Sequence, residues 1–146
     1  MKEAISLARE ADKIGEVPVG AVIVKDGRII ASAYNLRENG GGATAHAELL
    51  AIEKACEMLG SWRLSGCELY VTLEPCPMCA GAIVNARIDR VIYGVKDYNG
   101  GAFGSVIDLN SYPLGHKPEI IDSVCQQECL MLLQDFFARK RMENKN

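Results

Sequence analysis

The chain has 146 residues, 49% hydrophobic and 24% charged, enough for one well-buried core, so residues 1–146 are expected to form a single domain. The charged opening from Met1 to Glu10 lacks the apolar stretch of a secretory signal, and no apolar run approaches the roughly 20 residues that span a bilayer; the expectation is a cytoplasmic protein without membrane contact. The net charge of −3 excludes a surface coated in cations for indiscriminate nucleic-acid binding, but residues 139–146 carry a net +3 and leave −6 for the rest. Such a tail can meet a phosphate backbone, or can be a solvated helix end whose cations complement the helix dipole.

Taken in chain order, Ala4, Ile5, Ala8, Ala11 and Ile14 recur at helical spacing, and Gly15 stops this first helix. Val19–Val24 and Ile29–Tyr34 read as antiparallel strands joined by Lys25-Asp26-Gly27-Arg28, whose Asp-Gly is a hairpin signal. Gly20 inside the first strand marks a place where something approaches the backbone closely. After Gly40-Gly41-Gly42, Thr44 is expected to cap a second helix ending at Gly60. A strand from Cys67 to Leu73, then Glu74-Pro75, leads into a helix from about Cys76 to Ala86. A strand Arg90–Tyr93, a loop from Asp97 to Ser105, a strand near Glu119–Asp122 and a last helix from about Gln126 to Arg141 complete the chain. Helices alternating with strands after a hairpin imply an α/β fold with a mixed sheet covered on both faces.

Two segments carry chemistry: His46-Ala47-Glu48 and Pro75-Cys76-Pro77-Met78-Cys79, each following a loop or a strand end, where ligand sites form in α/β sheets. Cys76 and Cys79 lie three apart at a helix start, whose dipole favours thiolates; alone, the pair serves a metal or a redox dithiol equally well. His46 tips this toward zinc, because one His and two Cys leave a tetrahedral ion an open position for water, which is the arrangement of a catalytic site. Glu48 is then the candidate proton carrier, although two helical positions separate it from His46 by about 200° around the helix. His-x-Glu followed by Pro-Cys-x-x-Cys is similar to the signature of zinc-dependent nucleobase deaminases.

The chain resembles the bacterial tRNA-specific adenosine deaminases of the cytidine/deoxycytidylate deaminase superfamily over nearly its whole length. The likeness runs through Glu16 to Val22, Asn35, Thr44 to Glu48, Leu69 to Gly81 (LYVTLEPCPMCAG), Arg87 to Val91, Asp97, Gly101 to Ser105 and Phe136-Phe137. It implies the three-layer α/β/α cytidine-deaminase-like fold with a mixed five-stranded sheet and helices on both faces. It further implies one zinc ion per subunit held by His46, Cys76 and Cys79, and proton transfer by Glu48. Asn35, Ala47 and Asp97 would contact the nucleotide, Asp97 through a ribose 2′-hydroxyl. Phe136, Phe137, Arg139 and Arg141 would lie on a last helix presented to the RNA, although Phe136 and Phe137 can equally pack into the core. The implied substrate is adenosine at the wobble position of an arginine tRNA anticodon stem-loop, and the implied assembly is a homodimer. The chain departs from the family at Gly40 to Ala43, where a stiffer pair such as Asp-Pro is usual, so a flexible loop is expected there.

Three other readings stand beside this one. The metal motif also serves deaminases of free guanine, cytosine or cytidine, and a non-catalytic zinc-stabilised RNA-binding protein would keep the fold without the reaction. A thiol redox protein would use Cys76 and Cys79 without metal. Glu48 argues against a structural zinc, which needs no unliganded carboxylate. Cys56, Cys67, Cys125 and Cys129 read as small buried apolar residues, and His116 as an exposed loop histidine.

Overall fold

A computed structural model describes residues 1–145; Asn146, the last residue of the expected domain, lies outside them. Four helices and five strands follow in the order α1 (Lys2–Lys13), β1 (Gly20–Lys25), β2 (Arg28–Tyr34), α2 (Ala47–Leu59), β3 (Cys67–Leu73), α3 (Pro77–Ala86), β4 (Arg90–Val95), β5 (Glu119–Ile121) and α4 (Gln126–Asn144). The sheet order is β2-β1-β3-β4-β5. The β1–β2 hairpin and the β1–β3 pair are antiparallel, while β3–β4 and β4–β5 are parallel. The sheet is therefore mixed, with α1 and α4 packed on one face and α2 and α3 on the other.

The two-residue period of the strands divides the core between these faces. Ala21 and Ile23 of β1, Leu69 and Val71 of β3, and Val91 and Tyr93 of β4 form one buried cluster with Ala51 and Ala55 of α2 and Ala80 and Ile83 of α3. On the other face, Ile5 of α1, Val95 of β4 and Cys129 of α4 are packed together. The close approach expected at Gly20 is made by α1, since a side chain there would collide with the backbone of Ala4 and Ala8.

Three local expectations are corrected. Helix α2 begins at Ala47, with His46 rather than Thr44 at its N-cap position. Its first N–H group is capped from a distance, as Ala47 N donates to Asn35 Oδ1 at 2.9 Å. The glycine stretch is not a loose loop. Arg37–Gly41 forms a π-helical turn in which Glu38 N donates to Glu16 Oε2 at 2.9 Å and the Asn39 amide also donates to Glu16. His116 is half-buried, with Nε2 2.7 Å from the carbonyl of Ile88, which ties the segment before β5 to the end of α3. Cys67 and Cys129 are buried as expected, whereas Cys56 and Cys125 are only partly so.

Candidate active site

Strands β2 and β3 both run antiparallel to β1 and therefore point the same way, which brings the starts of α2 and α3, the helices that follow them, to the same end of the molecule. Pro77 at the first turn of α3 pre-sets its backbone, which places Cys76 at the N-cap and Cys79 one turn later. His46 sits just outside α2 in extended conformation (φ −77°, ψ 148°), so its ring leaves the helix surface that Glu48 occupies. This resolves the angular problem posed by the two-residue spacing, because only Glu48 is on the helix.

His46 Nδ1 lies 3.6 Å from Cys76 Sγ and 3.5 Å from Cys79 Sγ. Around a tetrahedral zinc with bonds of roughly 2.3 Å to sulfur and 2.0–2.1 Å to nitrogen, an N···S edge measures about 3.6 Å. All three donor atoms lie within 4.8 Å of one another. The donor set and its spacing fit zinc, and three protein ligands leave one coordination position for a small molecule.

The proton balance of the cluster follows from its contacts. The Cys79 thiol hydrogen-bonds to Cys76, which draws Cys76 down to about 4 and pushes Cys79 far above the usual thiol range, with burial adding to the latter. His46 is raised, chiefly by its hydrogen bond to Cys76. Glu48 is 4% exposed, and burial pushes its carboxyl up to about 7 against the opposing hydrogen bond from its own backbone.

A cavity of about 460 Å³ opens over this cluster. The structure brings Asn35, His46, Glu48, Cys76, Asp97 and Phe137 to its wall. Asn35 is 7% exposed, and besides accepting from Ala47 N it donates through Nδ2 to the carbonyl of Val17 at 3.2 Å. This fixes the orientation of the amide and leaves its second N–H for a ligand. Asp97 Oδ1 accepts from the backbone N–H groups of Asn99 (3.0 Å) and Gly100 (3.2 Å), closing a turn beside the cavity.

The other residues singled out in the sequence lie elsewhere. Ala47 is fully buried and takes part through its backbone N–H alone. Phe136 is 4% exposed and meets Phe137 edge-on at 5.3 Å, so one phenylalanine anchors α4 while Phe137, 44% exposed, reaches the cavity mouth. Arg139 is held by Asp12 of α1 through two contacts of 2.7 and 2.8 Å, and Arg141 is exposed on the last turns of α4 away from the cavity. Sequence reading passed over Arg37, Lys96 and Glu74, which also line the cavity. Of these only Glu74 left a trace, as an acidic residue at the end of an apolar strand beside the cysteine pair.

Comparison with known proteins agrees with this geometry. Residues 1–95 match the cytidine and deoxycytidylate deaminase zinc-binding region. The tRNA-specific adenosine deaminase of Bacillus subtilis is 49% identical over 99% of this chain and 91% of its own length. A structure determined in a study of A-to-I editing by tRNA:A34 deaminases at the wobble position superposes with a TM-score of 0.89 at 46% identity, covering 91% of this chain and 97% of that one. A guanine deaminase from Bacillus subtilis superposes with a TM-score of 0.63 at 50% identity over 65% of this chain and 61% of that one. The sheet, the His-Cys-Cys cluster and the near full-length identity together place this chain in the cytidine and deoxycytidylate deaminase family, among the tRNA-specific adenosine deaminases, as a zinc-dependent hydrolytic deaminase.

Proposed function

We propose that the protein deaminates adenosine to inosine at the wobble position of a tRNA anticodon, with an arginine tRNA as substrate. The observation that carries this reading is one cavity holding the His46–Cys76–Cys79 cluster, the buried Glu48 and the oriented amide of Asn35, on a chain alike over nearly its full length to tRNA deaminases.

His46, Cys76 and Cys79 would hold one zinc ion per subunit, which would supply an activated water as the nucleophile toward C6 of adenine. Glu48 would accept one proton of the attacking water and pass it to a ring nitrogen, then take the proton left on the added hydroxyl and deliver it to the amino group, which leaves as ammonia. A carboxyl raised by burial to about 7 is matched to accepting and returning protons at neutral pH. The uncommitted N–H of Asn35 donates to an acceptor on the flipped base, while Ala47 and Val17 stop the amide from turning. Asp97 keeps Oδ2 for a ribose 2′-hydroxyl, because Oδ1 is engaged in its own turn. Phe137 offers a stacking face to a neighbouring base, and Arg141 a cation to the phosphate backbone.

The chain acts as one domain over residues 1–146 and pairs as a homodimer. The exposed apolar side chains of Met58, Trp62 and Met78 beside the α2–α3 face support that pairing. Among the described residues no helix is long and apolar enough to cross a membrane; the place of action proposed for a tRNA substrate is the cytoplasm.

A second reading, deamination of free guanine, has the likeness to the guanine deaminase in its favour. The test is to give the zinc-loaded protein an arginine-type anticodon stem-loop with A at the wobble position, and the same loop with that A moved one position along. Inosine in the first and not in the second is the expected result; equal conversion of both, or of neither, contradicts the assignment.

A further inference from the structure

Asp97, Tyr98 and Asn99 line the cavity and open the segment 97–105, a stretch holding Gly100, Gly101 and Gly104 and no regular element apart from the Phe103–Asp108 bridge. Such a segment has a large conformational entropy to lose before it can present a fixed surface. Much of its order comes from one side chain just past the end of β3. The carboxylate of Glu74, 1% exposed, accepts from the backbone N–H groups of Asp97 (3.1 Å), Phe103 (3.0 Å) and Ser105 (3.2 Å), and from the Ser105 hydroxyl. The next residue adds a further tie, Ala102 N to Pro75 O at 2.9 Å. Gly101 packs so closely on the carboxyl group that any side chain there would collide with it. No ion pair among the described residues involves Glu74, so backbone dipoles and one hydroxyl carry its solvation.

Glu74 stands two residues before Cys76, on the strand end that delivers a thiol to the cluster. The same short segment therefore carries a cluster thiol and anchors the 97–105 loop, which is tied to it by four hydrogen bonds to one buried group and by the Ala102–Pro75 backbone bond.

We propose that Glu74 is a positioning residue for deamination: by holding the backbone of Asp97, Phe103 and Ser105 it registers the 97–105 segment, whose Asp97–Asn99 end lines the cavity, against the His46–Cys76–Cys79 cluster. A target base between the two is thereby held in line with the attacking water without Glu74 touching it. The inference rests on the deaminase function proposed above. Misplacement of a reacting group by about 1 Å can cost on the order of 100-fold in rate, so the effect of loosening the wall is kinetic.

The test is Glu74→Gln, which keeps the size of the side chain but sets an NH₂ group against N–H donors. The zinc-loaded variant is expected to keep its zinc content, to show faster amide exchange confined to residues 97–105, and to lose ~10- to 100-fold in kcat per zinc. KM for the stem-loop should stay within about threefold, because phosphate contacts dominate RNA affinity. Ile5→Val, in the core beneath α4, is the control for a general loss of stability and should leave kcat per zinc unchanged. If Glu74→Gln fails to fold or to load zinc, Ser105→Ala removes only the hydroxyl contact and should lower kcat by ~3- to 10-fold with the same local exchange signature. A kcat within twofold of wild type, or unaltered exchange in 97–105, overturns the proposal. The exchange arm needs no substrate, so wild-type protein inactive on the stem-loop counts against the tRNA reading alone. The kinetic arm then uses the free base that the wild type does turn over, and a kcat within twofold on that base overturns the positioning role.

Discussion

Glu48 and Glu74 are both acidic, 4% and 1% exposed, and on the wall of the same cavity, yet their surroundings suit them to opposite tasks. Glu74 lies in a nest of three backbone N–H groups and a hydroxyl, all contributed by a loop that it holds in shape. Glu48, at the start of α2 beside two cysteines, has no such nest, and burial leaves its carboxyl near neutrality at about 7. A buried carboxylate held by four hydrogen bonds from one loop maintains geometry; one that burial raises to near neutrality, with fewer partners, is suited to exchanging protons.

Breaking each side of that comparison should give effects of very different size. Glu48→Gln removes the proposed proton carrier while keeping the shape, so turnover of the RNA should fall by at least ~10³-fold with zinc retained, as read by inosine formation and metal analysis. Loss of zinc should abolish turnover altogether and lower Tm, since the cluster pins the starts of α2 and α3 to each other. Metal uptake also carries a sign in pH. Cys79 and His46 are raised, so near neutral pH the thiol, and part of the imidazole, still hold protons that a metal must displace. Zinc loading should therefore release protons, and apparent affinity should climb as pH rises from acid through neutrality; calorimetry in two buffers of different ionisation enthalpy reads the number released.

Asn35→Ala tests the boundary between chemistry and architecture. It removes the proposed base contact and the cap on Ala47 N together, so kcat/KM should fall by ~10- to 100-fold while stability drops by about 1 kcal/mol, measured by denaturant unfolding. The smallest effect is expected on α4. Arg139 is engaged with Asp12, so Arg139→Ala should leave KM for the stem-loop unchanged, whereas Arg141→Ala should raise it modestly and reduce its salt dependence.

The α/β architecture was legible in the sequence because period-two strands, a hairpin turn and helical spacing are all local signals. The cluster was legible for the same reason: His46, Cys76 and Cys79 sit at helix starts, and a helix start is announced by the residues that form it. What stayed hidden is held by contacts far apart in the chain. Glu74 meets Ser105 across 31 residues and Glu16 meets Glu38 across 22, so neither the 97–105 wall nor the Arg37–Gly41 turn has a pattern in its own stretch. The glycines from 40 to 42 thus read as slack, although Gly40 and Gly42 fill positive-φ positions (95° and 82°) and Gly41 has no room for a side chain. Thr44 misled for a related reason: the donor it was expected to satisfy is taken by Asn35, twelve residues away.

The central claim is that this cavity acts on adenosine within RNA. It is tested most directly by competition in one tube, with zinc-loaded protein given the wobble-A arginine stem-loop and free guanine at equal concentration and both products followed by mass spectrometry. Inosine in the stem-loop with guanine untouched is the expected result; xanthine accumulating while the RNA keeps its adenosine would contradict action on RNA.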